Sequence, residues 1–352
     1  MPTMADEEVR VTVGIDTHGE VHMAAVLDER GRLMAIEGFP TTTGGHRRLE
    51  QWACGFGVVE AIGIEGTGAW GAGVARHLTA QGYRVLEVDR PDRKTRRLRG
   101  KSDPIDAEAA ARAVQAGTAT GTPKTRVGQV ESIRVLRVAR RSAMKSRSQA
   151  ALQLHCLVST APDELREGLR TLKLAELIET CARLRPGPLV DPVQATKAAL
   201  RSIARRFLAL TAEIAELDGA LVPLVEATAP NLLALNGVGT DVAGQLLVTA
   251  GDNPGRLRSE AAFSHLCGAS PIPASSGRTD RHRLNRGGDR QANAALYRVV
   301  LCRLRWDPRT IAYVDRRTKS GLTKPEIIRC LKRYVARVRS TANFFAYPLD
   351  DP

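Results

Sequence analysis

The sequence is poor in aromatic residues, lacks paired cysteines and contains no long apolar segment. Phe, Trp and Tyr make up only 4% of the 352 residues, so a surface rich in base-stacking aromatics is not predicted. The six cysteines are scattered without a C-x-x-C pair, which argues against zinc sites and disulfide bonds and fits a reducing compartment. No run reaches the roughly 18 apolar residues of a membrane span, and the acidic segment MPTMADEEVR does not resemble a signal peptide. These absences predict a cytoplasmic protein without a membrane partner.

Acidic residues are also in deficit. The chain has 52 Lys and Arg residues against 38 Asp and Glu residues, a formal net charge of +14. Such an excess attracts polyphosphate, which makes nucleic acid the natural substrate, although a ribosome-associated or merely basic protein would show the same balance. An apolar content of 43% can form sizeable cores, and a chain of this length is expected to form two or three domains.

The first hundred residues alternate between strand-like and helix-like segments. Three strands are predicted between residues 11 and 40, in VTVGID, HMAAVLDE and RLMAIEGF, and they form a meander. A helix from about Gly45, the strand VVEAIGIEG, the helix WGAGVARHLTAQG, the strand YRVLEVD and a further helix follow. The order β-β-β-α-β-α-β-α matches the ribonuclease-H-like topology, so the predicted fold class of this part is α/β.

The middle of the chain loses its strands and contains a long basic helix, predicted from Thr125 to about Gln153. Four of its cations follow one another at spacings of three, four and four and share a face: Arg134, Arg137, Arg141 and Lys145. A solvated face is one interpretation. Because four like charges repel one another, a polyanion partner is favoured, and the four cations are candidate nucleic-acid contacts.

An apolar seam follows the basic helix. Its residues repeat at four, three, four and three: Leu210, Ile214, Leu217, Leu221 and Leu224. The seam can pack against the same chain or against a second protomer. Pro223 lies within it, so short helical pairing is predicted in place of a long uninterrupted coiled coil.

Two glycines separate apolar helical stretches in LLALNGVGTDVAGQLLVTAG, a pattern that resembles a helix-hairpin-helix. In such a hairpin Gly237 and Gly239 would let backbone N–H groups approach a phosphate of a nucleic acid. A plain turn between two helices would have a similar sequence, so both interpretations stay open.

Four carboxylates occupy positions typical of a divalent-metal site. Asp16 ends the first strand and Glu65 ends the first parallel strand, so both are expected at neighbouring carboxyl edges of the sheet. Asp103 and Asp106 share one face at the start of the helix SDPIDAEAAARA. Mg²⁺ prefers carboxylate oxygens, and a pair of such ions assists phosphodiester cleavage by activating the nucleophile and stabilising the leaving oxygen.

Each carboxylate alone has an ordinary explanation as a helix cap or a turn former. All four falling at metal-binding positions of one topology predict a joint catalytic site that binds Mg²⁺. His18, in IDTH, could orient this site or lie at its rim.

A basic loop, RPDRKTRRLRGKSD, separates the last predicted strand from the carboxylate helix. It is placed to hold a nucleic-acid strand near the carboxylates, and a solvated, disordered loop is the alternative. Its candidate contacts are Arg93, Lys94, Arg96, Arg97, Arg99 and Lys101.

The segment PIPASSGRTDRHRLNRGGDR combines adjacent serines, Ser275 and Ser276, with a following glycine and five arginines. A serine without a nearby His or Lys base is normally a turn residue. Among arginines that could bind a phosphate, and near metals that could lower its pKa, it becomes a candidate nucleophile. The arginines are candidate nucleic-acid contacts: Arg278, Arg281, Arg283, Arg286 and Arg290.

The motifs GIDTH, IEGTG and KSDPIDAEAAARA resemble the RuvC-like domain of the DEDD transposases of the insertion-sequence-110 group, relatives of the pilin-gene invertase. The C-terminal half resembles the same group in LLALNGVGTDVAGQLL and in AAFSHLCGASPIPASSGRTDRHRLNRGGDRQANAALYRV. The resemblance covers nearly the whole chain. It implies a RuvC-like domain at 8–122, a basic helix and coiled-coil-like region at 123–228, and a mostly α-helical transposase domain at 229–345.

The resemblance implies a DNA recombinase that excises and inserts an insertion sequence. Ser276 would attack the scissile phosphate and form a phosphoserine link to DNA, with Ser275 as its rival. A composite site in a dimer or tetramer and a structured guide RNA that pairs with donor and target DNA are also implied. Two alternatives remain: a RuvC-like junction-resolving endonuclease in which the carboxylates alone activate water, and an inactive nucleic-acid-binding protein.

Overall fold

The computed structural model describes residues 9–88, 102–257, 259–278 and 282–337. The chain divides into two compact units. The first unit comprises Met1–Gly128 and Ala250–Arg258, and the second comprises Gln129–Thr249 and Ser259–Pro352.

The first unit is built on a five-stranded sheet flanked by helices. Its elements in chain order are β1 (Arg10–Thr17), β2 (Val21–Asp28), β3 (Leu33–Pro40), α1 (Thr43–Cys54), β4 (Val58–Glu65), α2 (Ala72–Ala80), β5 (Val85–Val88) and α3 (Asp103–Gln115). The strand order is β3-β2-β1-β4-β5, with antiparallel pairing from β1 to β3 and parallel pairing among β1, β4 and β5. The predicted meander, the predicted order of elements and the α/β character of this part are confirmed.

One face of the sheet packs against α1 and α2. Val13, Ile15 and Ile64 of the central strands form a core with Leu49 of α1 and Leu78 of α2, and all five side chains are fully buried. Each buried aliphatic side chain of this size stabilises the fold by about 1.5–3 kcal/mol. The alternate residues of β1, among them Asp16, therefore point to the other face.

That other face is covered by α3 at very short range. A Cβ atom on Gly14 of β1 would lie 2.1 Å from the carbonyl oxygen of Ala107, and one on Gly63 of β4 would lie 2.8 Å from that of Ala110. Only glycine allows a helix backbone to approach a sheet this closely. The first turn of α3 is thereby placed beside the end of β1.

The second unit begins with two long helices. Its first elements are α4 (Gln129–Ser159), α5 (Asp163–Leu169), α6 (Leu174–Ala182) and α7 (Pro192–Thr228). Three hydrogen-bonded pairs show that α4 and α7 run antiparallel: Thr228 with Gln129, Asp218 with Arg140, and Arg206 with Gln153. The apolar seam therefore pairs with α4 of the same chain, with Ile214 and Leu221 buried.

The prediction of short helical pairing at Pro223 was wrong. α7 is a continuous helix of 37 residues with Pro223 inside it. Proline removes one backbone hydrogen bond and strains the preceding turn. Because Pro223 lies in the last two turns, with Leu221 and Val225 buried on either side of it, packing offsets that cost.

The rest of the second unit is mostly helical, as predicted. Its elements are α8 (Pro230–Leu233), α9 (Thr240–Ala250), α10 (Glu260–Leu266), β6 (Ile272–Pro273), β7 (His282–Arg283), α11 (Arg290–Trp306), α12 (Pro308–Lys319) and α13 (Lys324–Val335). A short 3-10 turn, Pro254–Arg256, belongs to the first unit. Within the described ranges no helix combines the length and apolar character that a membrane crossing requires.

Candidate functional site

Asp16 and Glu65 emerge side by side at the carboxyl edge of the sheet. The parallel pairing of β1 and β4 aligns Ile15 with Ile64, so the next residue on each strand is a carboxylate. The Thr17 hydroxyl donates a 2.8 Å hydrogen bond to the backbone oxygen of Glu65 and ties the two strand ends together. Asp16 is buried, with 7% of its surface exposed, whereas Glu65 is half-buried.

Asp103 and Asp106 lie in the first turn of α3. Asp106 is buried at 5% exposure, while Asp103 is exposed. The charges of both carboxylates are close enough to affect the titration of Asp16. The helix that supplies them is held there by the glycine contacts with β1 and β4.

His18 bridges two of the carboxylates. Its Nε2 atom lies 3.2 Å from Oδ2 of Asp16 and 3.3 Å from Oδ1 of Asp103. The ligand atoms of these three residues all lie within 4.8 Å of one another, and no other such trio occurs in the described part of the chain. Glu65 and Asp106 lie outside the trio. His18 therefore contacts two of the predicted metal-binding carboxylates, although half of its side chain is exposed, and its role in orienting the site stays a prediction.

The cluster concentrates negative charge around the buried carboxylate of Asp16. Burial raises the pKa of Asp16 above its ordinary value, and the charges of Asp106 and Asp103 raise it further. The neighbouring His18 partly opposes this shift of the Asp16 pKa through its charge and its hydrogen bond. A carboxylate held among like charges is stabilised by a cation, so this donor set fits a divalent metal ion.

Two residues that the sequence analysis did not single out contact the segments that follow the strand ends of the cluster. Trp70 follows the Glu65 strand and is 65% exposed, with its ring 3.6 Å from the position that a Cβ atom on Gly19 would take. Arg126 is the non-glycine residue with positive φ, 54°, in the described ranges, and its Nη2 donates a 2.7 Å hydrogen bond to the backbone oxygen of Gly68. The exposed Trp70, in a chain with few aromatics, could have been found from the sequence. The strained backbone at Arg126 could not.

The serines lie on an exposed hairpin with a firmly held base. Ser275 and Ser276 are exposed between β6 and β7, and Gly277 takes a φ of 55° at the turn. At the base, the side-chain amide of Asn293 donates hydrogen bonds to the backbone oxygens of Cys267 and Gly268, at 2.9 and 3.1 Å. The fold therefore presents these hydroxyls on a supported loop.

The predicted cations near the serines are exposed wherever they are described: Arg278, Arg283, Arg286 and Arg290. Arg281 lies outside the described residues. So do all six predicted contacts of the basic loop: Arg93, Lys94, Arg96, Arg97, Arg99 and Lys101.

Sequence comparisons match the two halves of the chain separately. The profile described as "Transposase IS116/IS110/IS902 family" matches residues 229–315, and a DEDD transposase profile of the IS110 type matches residues 13–161. The chain belongs to the IS110 transposase family. All four carboxylates lie in the segment matched by the DEDD profile of this family, and both serines lie in the other segment.

A relative of this IS110-family chain comes from Streptomyces coelicolor. It is named "Insertion element IS110 uncharacterized 43.6 kDa protein" and is 31% identical over 136 residues. That alignment covers 38% of this chain and 33% of the relative. The match thus spans about a third of the relative's length.

In this IS110-family chain, two of the four predicted cations of α4 have internal partners. Arg134 donates to both carboxylate oxygens of Glu131, at 2.7 and 2.6 Å. Arg137 donates to Asp241 at 2.9 Å and to Gln245 at 3.3 Å. Arg141 and Lys145 are exposed. The nucleic-acid role of this face stays a prediction, and Arg134 and Arg137 have structural contacts as well.

The glycine turn before α9 faces the protein on one side and open space on the other. Gly237 has a φ of 81°, and a Cβ atom there would lie 3.3 Å from Cβ of Cys302 and from the backbone oxygen of Val299. No atom of the described residues lies within 4 Å of the corresponding position on Gly239. Packing against α11 explains Gly237, while phosphate contact at Gly239 stays a prediction.

Proposed function

We propose that this IS110-family chain excises and inserts its insertion sequence by cutting and rejoining DNA strands. The observation that carries the proposal is the cluster of buried Asp16 with exposed His18 and Asp103, in a chain that also presents an exposed serine pair on a supported hairpin. The net charge of +14 supports DNA as the substrate. The activity would take place in the cytoplasm, on the nucleoid.

The division of labour follows the predicted domains. We assign the RuvC-like, ribonuclease-H-like fold to residues 8–122, because the strand order β3-β2-β1-β4-β5 and the packing of α3 across β1 support it. The basic helix and coiled-coil-like region is assigned to 123–228, and the transposase domain with the serine hairpin to 229–345.

Divalent metal, and Mg²⁺ in particular, is proposed to bind at Asp16, Glu65, Asp103 and Asp106. The hard oxygen donors and the concentrated negative charge support this assignment. When bound, the metal would supply charge neutralisation at the scissile phosphate and at the leaving oxygen. The hydrogen bond from Thr17 to the backbone of Glu65 would keep the ends of β1 and β4, and with them Asp16 and Glu65, in place.

Ser276 is the proposed nucleophile, with Ser275 as its neighbour and rival. Its Oγ would attack the scissile phosphorus, and a serine–phosphate ester would form as the bond to one deoxyribose oxygen breaks. The proton released by the serine hydroxyl balances the proton taken up by the leaving oxygen. The energy of the phosphodiester stays in the ester, so a second strand can reverse the step and complete rejoining.

Two partners are proposed from the family resemblance. A structured guide RNA would pair with donor and target DNA, and the exposed cations of α4 and of the serine hairpin support contact with a polyanion. A dimer or tetramer would form composite sites from the carboxylates of one protomer and the serine of another.

The proposal is tested by reconstitution. The chain, purified with its co-expressed element, would be incubated with Mg²⁺ and plasmids that carry the element ends and an insertion site, and joined products would be sequenced. We expect recombinant junctions and a co-purifying RNA that pairs with the element ends. Hydrolysed ends without junctions would contradict the proposal and indicate the junction-resolving endonuclease, which the comparisons do not favour. DNA binding with no strand cleavage would indicate an inactive binding protein.

A further inference from the structure

A basic groove lies between α12, α13 and the base of the serine hairpin. It encloses about 970 Å³, and its lining includes Pro271 and His282, which flank the segment that carries Ser275 and Ser276. The groove lies entirely within the second unit. Whatever occupies it is next to the hairpin.

The charge of the groove is strongly one-sided. Seven arginine and lysine side chains line it against one carboxylate, Glu326, an excess of six positive charges. Glu326 already caps α13, since its Oε2 accepts hydrogen bonds from the backbone nitrogen and the hydroxyl of Thr323, at 2.8 and 2.6 Å. An anionic occupant is favoured.

Part of this positive charge has no counter-charge among the described residues. Within the described ranges, no carboxylate lies at ion-pair distance from Arg283, Arg316, Arg317 or Lys332. By contrast, Arg333, which also lines the groove, lies 2.5 Å from a carboxylate oxygen of Glu260. The cations without an ion pair in the described ranges therefore come from α12, from α13 and from β7 of the hairpin.

Lys332 is a half-buried cation whose hydrogen-bond partner is neutral. Its ammonium group is half-buried, and its nearest polar partner is the neutral Oδ1 of Asn293, at 2.7 Å. Burial, reinforced by the charge of Arg329, lowers the pKa of Lys332. An anion seated in the groove would relieve both effects.

Two aromatic rings in contact with each other, each covered by a guanidinium group, line one wall of the groove. The rings of Tyr313 and Tyr334 meet edge to face, with centroids 5.5 Å apart. Arg316 lies over the Tyr313 ring at 5.4 Å, and Arg337 lies over the Tyr334 ring at 5.0 Å. Tyr334 is 48% exposed. In a chain with 4% aromatic residues, this pairing of flat and cationic surfaces is suited to bases as well as phosphates.

We propose that this basic groove binds an unpaired DNA strand, with its phosphates on Arg283, Arg316 and Lys332 and a base against Tyr334, beside the serine hairpin. The inference rests on the proposed function for the identity of the strand as DNA. An unpaired strand is favoured over a duplex because the groove is walled by two helices and a hairpin, and a duplex carries its phosphates on a convex outer surface.

The test measures binding of the full-length chain to fluorescent oligothymidylate by anisotropy across a range of salt. The Arg283→Gln/Arg316→Gln variant removes two exposed cations and breaks no ion pair between described residues. We expect binding at least about tenfold weaker and a salt slope smaller by about 1.4, the value for two lost phosphate contacts on a single strand. The matched control, Arg185→Gln/Arg305→Gln, removes the same charge at exposed positions outside the groove and should leave the slope unchanged.

A second variant separates stacking from charge. Tyr334→Ala should weaken oligothymidylate binding about tenfold with the salt slope unchanged, whereas Tyr334→Phe should bind as the native chain does. Wild-type affinity and slope in both the arginine variant and Tyr334→Ala would overturn the proposal, as would equal losses in the arginine control. A larger loss for oligouridylate than for oligothymidylate would overturn the assignment to DNA and indicate RNA.

These binding measurements need no cleavage, so they separate the two proposals. If the groove variants bind oligothymidylate as the native chain does, the proposal for the groove is wrong and the proposal for the serine is unaffected. If the native chain does not join strands, the proposed function is wrong. A loss of oligothymidylate binding in the groove variants would still support a binding site in the groove.

Discussion

The carboxylate cluster and the serine hairpin are built in opposite ways. Asp16 and Asp106 are buried at the end of a central strand and in the first turn of a helix pressed onto the sheet. Ser275 and Ser276 are exposed on a two-stranded hairpin, and the side chain of Asn293 hydrogen-bonds to the backbone at the base of that hairpin. A metal site needs several donors fixed at once, whereas a nucleophile that joins a long polymer must be accessible. The proposed chemistry is therefore divided between a rigid part, the carboxylate cluster, and an exposed part, the serine hairpin.

The largest effect is expected from a substitution in the serine hairpin alone. Ser276→Ala should reduce strand cleavage and joining by at least about 10³-fold, because it removes the attacking oxygen. Ser275→Ala is the matched control and should retain most activity. Both variants should bind DNA as the native chain does, since the hairpin base is unchanged. Cleavage of supercoiled plasmid provides the measurement, and full activity in Ser276→Ala would contradict the assignment.

The next largest effect is expected from a substitution in the carboxylate cluster that leaves the first unit folded. Asp16→Asn should lower cleavage by about 10²- to 10³-fold through loss of one charge at the centre of the cluster. Without metal its melting temperature should equal or exceed that of the native chain, because a buried carboxylate among like charges is removed. Mg²⁺ should raise the melting temperature of the native chain and not that of the variant.

A matched variant of this prediction lies on the same helix. Glu108→Gln alters a carboxylate that pairs with Arg112 at 2.6 Å and takes no part in the cluster. It should keep both cleavage and the stabilisation by Mg²⁺. Equal Mg²⁺ stabilisation in native chain and Asp16→Asn would place the metal elsewhere.

The third prediction breaks the packing on which the cluster depends. Gly14→Ala puts a Cβ atom 2.1 Å from the carbonyl oxygen of Ala107, so α3 must move away from β1. We expect a loss of about 3 kcal/mol or more in the free energy of unfolding, with loss of cleavage. Denaturant unfolding measures it. Gly219→Ala, in the interior of α7, adds a Cβ atom that no described residue approaches within 4 Å, so the free energy of unfolding should instead rise by about 0.5–1 kcal/mol.

The smallest effect concerns stability in acid, which should fall at a higher pH in the first unit than in the second. His22 in β2 is fully buried, and burial, with the charges of His46 and His18, lowers its pKa to about 4. Between pH 6.5 and pH 4 the unfolded chain therefore binds more protons at His22, so stability of the first unit falls as pH falls through this window. The loss between pH 7 and pH 5 should be about 2 kcal/mol.

The second unit should respond at lower pH. Burial alone would raise the pKa of Asp241, but Arg137, Arg298 and Arg140 lower it on balance. Its contribution is present above the unfolded value of 3.8 and is lost only as pH falls below it. Hydrogen exchange should show the sheet opening before the α4–α7 pair. His22→Gln should flatten the dependence of the first unit, and His155→Gln, an exposed control, should not.

Much of the first unit could be predicted from the sequence because its information is local. Strands such as VTVGID and VVEAIGIEG are apolar runs that end in a carboxylate, and parallel pairing then brings Asp16 and Glu65 together. Asp103 and Asp106 needed only helical periodicity. The family motifs added the serine, which its local sequence alone would describe as a turn residue.

What could not be predicted depends on contacts between distant residues. Nothing around Gly14 or Gly63 indicates which helix lies against them, and the bridge that His18 makes to Asp103 spans 85 positions. The same holds for the partnership of Arg137 with Asp241, which gives a cation assigned to nucleic acid an internal role. Pro223 misled the prediction of α7 because local helix propensity is overridden by packing along α4.

The central claim is that the carboxylates serve a reaction whose nucleophile is Ser276, in the other unit. Its most direct test is to incubate the native chain with Mg²⁺ and element-end DNA, stop the reaction under denaturing conditions, and locate any attached nucleotide by mass spectrometry of the peptides. The account predicts a nucleotide on Ser276, absent in both Ser276→Ala and Asp16→Asn. Cleaved DNA with no attached peptide, or a nucleotide on Ser275 or another residue, would contradict it.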